Sequence, residues 1–506
     1  MKKTASFLFL LLFTLAGFCQ QLPRSTPETE GVSSDAIINF INSYRKDKHE
    51  LHSVMIIRHG KVIAEGWWSP YSATMKHSMY SVSKSWTSTA IGFAVDEKKL
   101  AVTDKVISFF PEYKDLADKP YIQDLTIKDL LTMSVGHEKD QSLKVFGSAV
   151  WARGFFEAPI AKQPGTTFLY NTPGSYMLSA IITKVTGLSV LDYLKPRLFE
   201  PLGITGVDWE SNMQGVNAGG VGFRDKTEDM AKLGMTYLYK GKFNGKQVLS
   251  EAWVNEATSK QILQNAAATQ VQRDSSDWLQ GYGYQFWRCR HNAFRADGAF
   301  GQYIVMMPEQ DAIVVITSES LDLQDDLNMI WRNLLPAFEA APLAPNPQAE
   351  TKLKQFLSVL HLDAPVSAIK SGDKTLLNQA FALPANEFNF ASLKVSGKKK
   401  NLSLTIITTD KKEHTIPLGF NRFNFSETDL NGPNLFRKAP VQFNLMAPYK
   451  LASSFRWTDL QTLEITVRYI ESPHRWTFTM HMENGKMKLK LVTSYMPDNV
   501  IDVTAQ

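Results

Sequence analysis

The stretch YSVSKSWTSTAIGFAVD, Tyr80 to Asp96, constrains the fold most. Read as a helix, it places Trp86, Ala90, Ile91, Phe93, Ala94 and Val95 on more than one side, so other elements must enclose it. Enclosing a helix takes a large domain. The chain has room for two or three: 506 residues, 44% hydrophobic and 21% charged, in an ordinary globular balance.

A buried helix has few reasons to carry a lysine in its first turn. On a helix beginning near Ser81, the side chains of Ser81 and Lys84 lie one above the other on the same face. Serine alone is a poor nucleophile at neutral pH, and a desolvated amine beside it can accept its proton. The helix N-terminus adds positive potential where an oxyanion would develop. The spacing itself is common: Ser-x-x-Lys starts five times, at Ser43, Ser81, Ser367, Ser371 and Ser396. Only the Ser81 copy opens a long apolar helix; the others sit in polar stretches or turns.

Net charge is +5, too mild over this length to imply nucleic-acid binding or a polybasic membrane patch. The one lysine run, Lys398 to Lys400, lies between Gly397 and Asn401 and reads as a solvated hairpin turn. At the start, Lys2 and Lys3 precede FLFLLLFTLAG, too short to span a membrane and right for a signal-peptide core. The expectation is residues 1–20 as a signal peptide, cleavage near Cys19, and an exported, periplasmic or secreted mature protein. Phe18 occupies the place where a lipobox needs a small residue, which argues against a lipid anchor on Cys19. Cleavage there leaves Cys289 without a partner for a disulfide. No other segment is long and apolar enough for a helical span, so no membrane span is expected in the mature protein.

SVMIIRHGKVIAEGWW reads as two strands turning at His59-Gly60. Helical segments follow: LTIKDLLTM, SYMLSAIITKVTG and TEDMAKLGMTYLYKG, the last two ending at glycine. From Tyr282 the pattern returns to strands, GYGYQFWRC and GQYIVMMPEQDAIVVITS, and the helix LNMIWRNLLPAF closes the region. Strands, helices, strands, helix is the order of an α+β domain: an antiparallel sheet whose edge strands come from both ends of the domain, plus an inserted helical part. This domain spans 21–340. APLAPNPQA, with three prolines in nine residues, is the linker at 341–349. A short helix at Glu350 to Leu362 opens a β-rich accessory domain, 350–506. There NLSLTIITT, HTIPLGF, TLEITVRYI, RWTFTMHM and KMKLKLVTS alternate apolar with polar, and a small antiparallel sheet or barrel is expected. It shows no Cys/His cluster or paired carboxylates.

A partner for Ser81 and Lys84 is sought in the helical part. PGTTFLYNTPGSYMLSAI offers Tyr170, between the Pro164-Gly165 turn and a helix from about Gly174. A phenol ordinarily titrates near 10. A lysine ammonium close by would favour the phenolate and make it a general base.

SVSK opening a helix, then PGTTFLY, then GAFGQY entering a strand, together resemble the class C β-lactamase-like serine hydrolases. That group includes class C β-lactamases, D-alanyl-D-alanine carboxypeptidases, family VIII esterases and 6-aminohexanoate-dimer hydrolases. The resemblance covers roughly residues 30–335, including KTEDMAKLGMTYLYKGKFNGKQVLSEAWV, and does not extend to the last 150 residues. It implies the β-lactamase/transpeptidase-like fold, an antiparallel sheet flanked by helices with an all-helical region beside it and the site between them, with Ser81 as nucleophile, Lys84 as its proton partner and Tyr170 as general base. Two departures stand out. Thr172 takes the place of the family's asparagine, with Asn171 an alternative donor to substrate. Lys-Thr-Gly and His-Thr-Gly are absent; RADGAFGQY, Arg295 to Tyr303, stands there instead. Aligning its GxxGQ places the backbone N–H of Ala299, after Gly298, beside that of Ser81 as an oxyanion hole. The cation that holds a β-lactam carboxylate is missing, Arg295 is the candidate substitute, and Asp297 puts a negative charge at the pocket mouth.

The expected chemistry is attack by Ser81 on an ester or amide of a small molecule, an acyl-enzyme and release by water, with no metal and no cofactor. A Ser-His-Asp triad has no support, since G-x-S-x-G does not occur. The rival reading is a catalytically silent, penicillin-binding-like peptide or cell-wall binding module. The physiological substrate and the oligomeric state are not legible in the chain.

Overall fold

The computed structural model describes residues 21–46, 49–433 and 446–505. The signal-peptide expectation at residues 1–20 lies outside them. Among the described residues no single helix is long and apolar enough to cross a membrane.

A six-stranded antiparallel sheet forms the centre, in the order Lys61–Trp67, Glu50–Arg58, Ala312–Glu319, Gln302–Met307, Phe294–Gly298, Trp287–Arg288. Glu50–Arg58, earliest of these in the chain, pairs along its length with Ala312–Glu319, the latest, Val54 opposite Ile316 and Ile56 opposite Val314. Residues two apart share a sheet face, and both faces here are apolar. Met55, Ile57, Ile304, Met306, Ile313 and Val315 meet the helices Ser83–Asp96, Thr172–Thr186 and Thr227–Leu238. Val54, Ile56, Tyr303, Val305, Val314 and Ile316 meet Ser34–Lys46, Leu323–Met329 and Pro347–Ser358 on the other side. An antiparallel sheet covered on both faces explains the unbroken apolar run AIVVI, Ala312 to Ile316, where alternation would mark a wet face.

Helix Ser83–Asp96 is buried from Ser83 through Ala94, as its all-round apolar pattern requires. Its hydroxyls fasten it to its surroundings. Ser85 donates to the carbonyl of Gln285 (2.8 Å), Thr87 to Gly219 (2.7 Å) and Ser88 to Tyr284 (2.7 Å). The expected strand GYGYQFWRC is reduced to Trp287–Arg288. Gly281 and Gln285 both adopt left-handed backbone (φ 111° and 65°), and Gly283 passes against the Ala257 carbonyl. The segment instead threads between helices, with the Gln285 amide donating to the carbonyls of Leu130 and Leu131.

The helix expected from Glu350 begins at Pro347, capped by Asn346, whose side chain accepts from the Ala349 N–H at 3.1 Å. Leu353 and Leu360 pack into the apolar cluster behind the central sheet. The second cluster begins at Leu376 and fills one face of a ten-stranded sheet. That sheet is larger than the small one expected, and its path does not close: Ala380–Ala382 and Met496–Ala505 are its ends. All its neighbours pair antiparallel except Glu413–Phe420 with Tyr449–Trp457. The Glu483-Asn484-Gly485 turn forms with Asn484 and Gly485 both left-handed (φ 51° and 75°), the backbone a two-residue hairpin loop needs.

Candidate active site

Ser81 does not begin the α-helix. It lies in a 3₁₀ turn, Tyr80–Val82, that feeds helix Ser83–Asp96. Tyr80 is left-handed (φ 46°), an uncommon state for a bulky residue, and the Ser83 hydroxyl secures it by donating to the Tyr80 carbonyl at 2.6 Å. The turn leaves Ser81 half-buried. One turn on, Lys84 is fully enclosed, and its Nζ donates to Ser81 Oγ at 3.0 Å and to the Gly220 carbonyl at 2.7 Å. Burial pushes the Lys84 amine down to about 7, with Asp297 and Asp140 opposing the shift. A neutral amine at that position keeps a hydrogen bond to Gly220 and turns its lone pair to the Ser81 hydroxyl.

Tyr170 meets the pair from the other side, with Lys84 Nζ 4.9 Å from its ring centroid. The expected phenolate is not found. Burial pushes the phenol up, and a hydrogen bond with Ser81 offsets only part of that. Tyr170 is a neutral phenol at rest. Its ring stacks on Trp287 (5.6 Å, 22°) in an aromatic wall with Phe168, Tyr282 and Trp278 that sequence reading did not single out.

Strand Phe294–Gly298 brings the third side. A methyl group built on Gly298 would lie 2.4 Å from the Met79 carbonyl oxygen, so only glycine lets this strand end touch the approach to Ser81. Ala299 follows in the turn, half-buried, its carbonyl accepting from the Gln302 amide at 3.1 Å. Arg295 is not available to a substrate. It has no exposed surface, donates through Nε to Asp297 at 2.7 Å, and lies over Trp278 at 4.3 Å. Asp297 is therefore the covered half of an ion pair rather than a bare charge at a pocket mouth. Burial raises its carboxyl while Arg295 holds it down.

Asn171 is also spoken for. Its Oδ1 caps helix Thr172–Thr186 by accepting from Gly174 N–H (2.8 Å), and its Nδ2 lies 2.8 Å from His137 Nδ1. Thr172 keeps partial exposure, and its methyl faces Gly220, the residue that holds Lys84. Between the central domain and the C-terminal sheet lies a cavity of about 620 Å³, with Ser78, Tyr80, Glu210, Arg224, Lys412 and Tyr449 on its wall.

Serine, buried lysine and tyrosine thus meet beside a helix-covered antiparallel sheet, the fold of the β-lactamase-like hydrolases. The profile of the Beta-lactamase family matches residues 47–337, and the chain belongs to that family. It is 23% identical over 321 residues to 6-aminohexanoate-dimer hydrolase of Paenarthrobacter ureafaciens, covering 58% of this chain and 79% of that one. Over 117 residues it is 30% identical to lovastatin esterase of Penicillium rubens, covering 20% of this chain and 28% of the esterase. Among solved structures, an octameric penicillin-binding protein homologue from Pyrococcus abyssi aligns over 90% of this chain and 97% of its own, at 15% identity and a TM-score of 0.48.

Proposed function

We propose that the protein hydrolyses a small ester or amide through an acyl-enzyme on Ser81. The contact of Lys84 Nζ with Ser81 Oγ at 3.0 Å, with the amine lowered to about 7, carries this reading. Neutral Lys84 takes the Ser81 proton as the oxygen attacks the carbonyl, and the backbone N–H groups of Ser81 and Ala299 receive the oxyanion. Tyr170, still protonated, passes a proton to the leaving oxygen or nitrogen and recovers one from Lys84. Water then attacks the ester by the reverse path, which frees Ser81 and the acid. Export follows from the basic then apolar pattern of residues 2–17 and is checked by sequencing the N-terminus of the mature protein.

Substrate choice follows from Arg295. A β-lactam needs a cation for its carboxylate, and this guanidinium is buried and committed to Asp297. Substrates without a carboxylate at that end are favoured. For a chromogenic cephalosporin, kcat/KM should fall at least roughly 10²-fold below that for short p-nitrophenyl esters, about 3 kcal/mol in transition-state binding. The decisive test is a fluorophosphonate probe: it should label Ser81, and Ser81→Ala should abolish labelling and lower kcat by about a millionfold. A folded Ser81→Ala protein with near-normal turnover overturns the assignment. A wild-type protein that neither labels nor turns over any ester or amide is a binding module.

A further inference from the structure

The residue before Ser81 and the residue after Ala299 are both left-handed, Tyr80 at φ 46° and Phe300 at φ 65°. Neither is glycine, so each holds strain that surrounding contacts must maintain. One imidazole touches both. His474 Nε2 lies 2.6 Å from the Tyr80 hydroxyl, and the His474 ring meets Phe300 edge-to-face at 4.5 Å and 89°. This histidine comes from the C-terminal sheet, in the turn between Thr462–Tyr469 and Arg475–Glu483. It has no exposed surface.

Glu319, at the end of its strand in the central sheet, sets the tautomer. His474 Nδ1 lies 2.7 Å from Glu319 Oε1, so Nδ1 carries the hydrogen and Nε2 accepts from the Tyr80 O–H. The Arg475 guanidinium donates to Glu319 at 2.9 Å, and the Ser494 hydroxyl donates to the same carboxylate. Beside them the Ser78 N–H donates to the Glu471 carbonyl at 2.9 Å, so the approach to Ser81 is tied to the same turn by its backbone.

We infer that His474 is a positioning residue, through which the C-terminal sheet fixes Ser81 and the Ala299 turn relative to each other. The inference rests on Ser81 as nucleophile and Ala299 as oxyanion donor. It assigns the second sheet a part in the site that its sequence, without any catalytic motif, does not suggest.

The test uses full-length His474→Ala, His474→Gln and Tyr80→Phe proteins, read by thermal melting, kcat and KM on p-nitrophenyl acetate, and hydrogen exchange of peptides covering 78–84 and 298–302. His474→Ala and Tyr80→Phe should each lower kcat roughly 10²-fold with little change in KM, since a misplacement of about an ångström has that effect. Combining them should cost little more than either alone. Exchange should rise in both peptides. His474→Gln, which returns an amide to the Nε2 position, should recover most of the rate. If His474→Ala does not fold, Tyr80→Phe, which deletes one oxygen, decides alone. Unchanged exchange in both peptides overturns the inference whether or not the wild-type protein is active, and unchanged kcat in a folded Tyr80→Phe protein overturns it as well. An inactive, unlabelled wild type with raised exchange in the variants sinks the hydrolase reading and leaves the positioning role standing.

Discussion

Lys84 is ionised in the unfolded chain at every pH below about 10.5 and, once buried, only below about 7. Folding therefore releases a proton between those values, and the contribution of this group to stability rises as pH rises through that window. Under the proposed mechanism, activity follows the same titration. The competent amine is neutral, so kcat/KM should climb with pH, level above about 7 and fall roughly 10²-fold two pH units below that point. Lys84→Gln should remove the limb together with most of the rate; a limb of unchanged midpoint in that variant assigns it to another group. Tyr170→Phe should fold normally and lose about 10²–10⁴-fold, the range for a lost proton donor. The Ser81–Lys84 pairing was legible because three-residue spacing on a helix fixes a shared face. The state of Tyr170 was not, because it depends on how far burial outweighs a nearby lysine, and enclosure by Trp287 and Tyr282 comes from residues more than a hundred positions along the chain. Asn171 misled for a related reason: a capping asparagine and a substrate-binding asparagine look alike until the helix start is located.

Among the elements, helix Ser83–Asp96 was readable because apolar residues on all sides admit one outcome, burial. The strand expected at GYGYQFWRC was not, since Gly281, Gly283 and Gln285 bend the backbone to fit contacts with Lys260 and Ala257 that only the assembled fold supplies. Glycines at two other places separate catalysis from stability. Gly298→Ala forces the strand away from the Met79 carbonyl, 2.4 Å from the new methyl, so kcat should fall roughly 10²-fold while melting shifts by the 1–3 kcal/mol of an overpacked site. Gly187, the left-handed cap of helix Thr172–Thr186, has nothing within 4 Å of an added methyl. Gly187→Ala should cost about 1 kcal/mol of stability and leave the rate unchanged. Equal effects of both variants on kcat would show that the Gly298 contact does not set the geometry at Ser81.

At the scale of the whole molecule, the proline-rich run after the central domain reads as a link to a separable unit, and alternating patterns correctly announce strands beyond it. What no local pattern shows is the charge network that joins the two parts. Glu50, on the first strand of the central sheet, receives Arg468 at 2.6 Å and Arg475 at 3.3 Å from the C-terminal sheet, and Glu319 receives Arg475 at 2.9 Å. Arg468 is almost fully buried. A chain ending after the helix Pro347–Ser358 would strip these partners and His474 from the central domain, so it should lose activity on small esters even where it stays soluble. Burial alone would raise both carboxyls, yet Arg468 and His52 hold Glu50, and His474 and Arg475 hold Glu319, below their usual range. Carboxyls lowered on folding stabilise above their unfolded value of about 4.5 and lose that contribution as pH falls through the folded one. Glu50→Gln leaves Arg468 buried without its carboxylate, so at pH 7 it should destabilise by about 3–5 kcal/mol. Near pH 3 the unfolded wild-type chain takes up a proton at Glu50 that the folded one resists, so the difference between the two proteins in urea unfolding should shrink. A difference of the same size at pH 7 and pH 3 would show that Glu50 acts through packing and not through its charge.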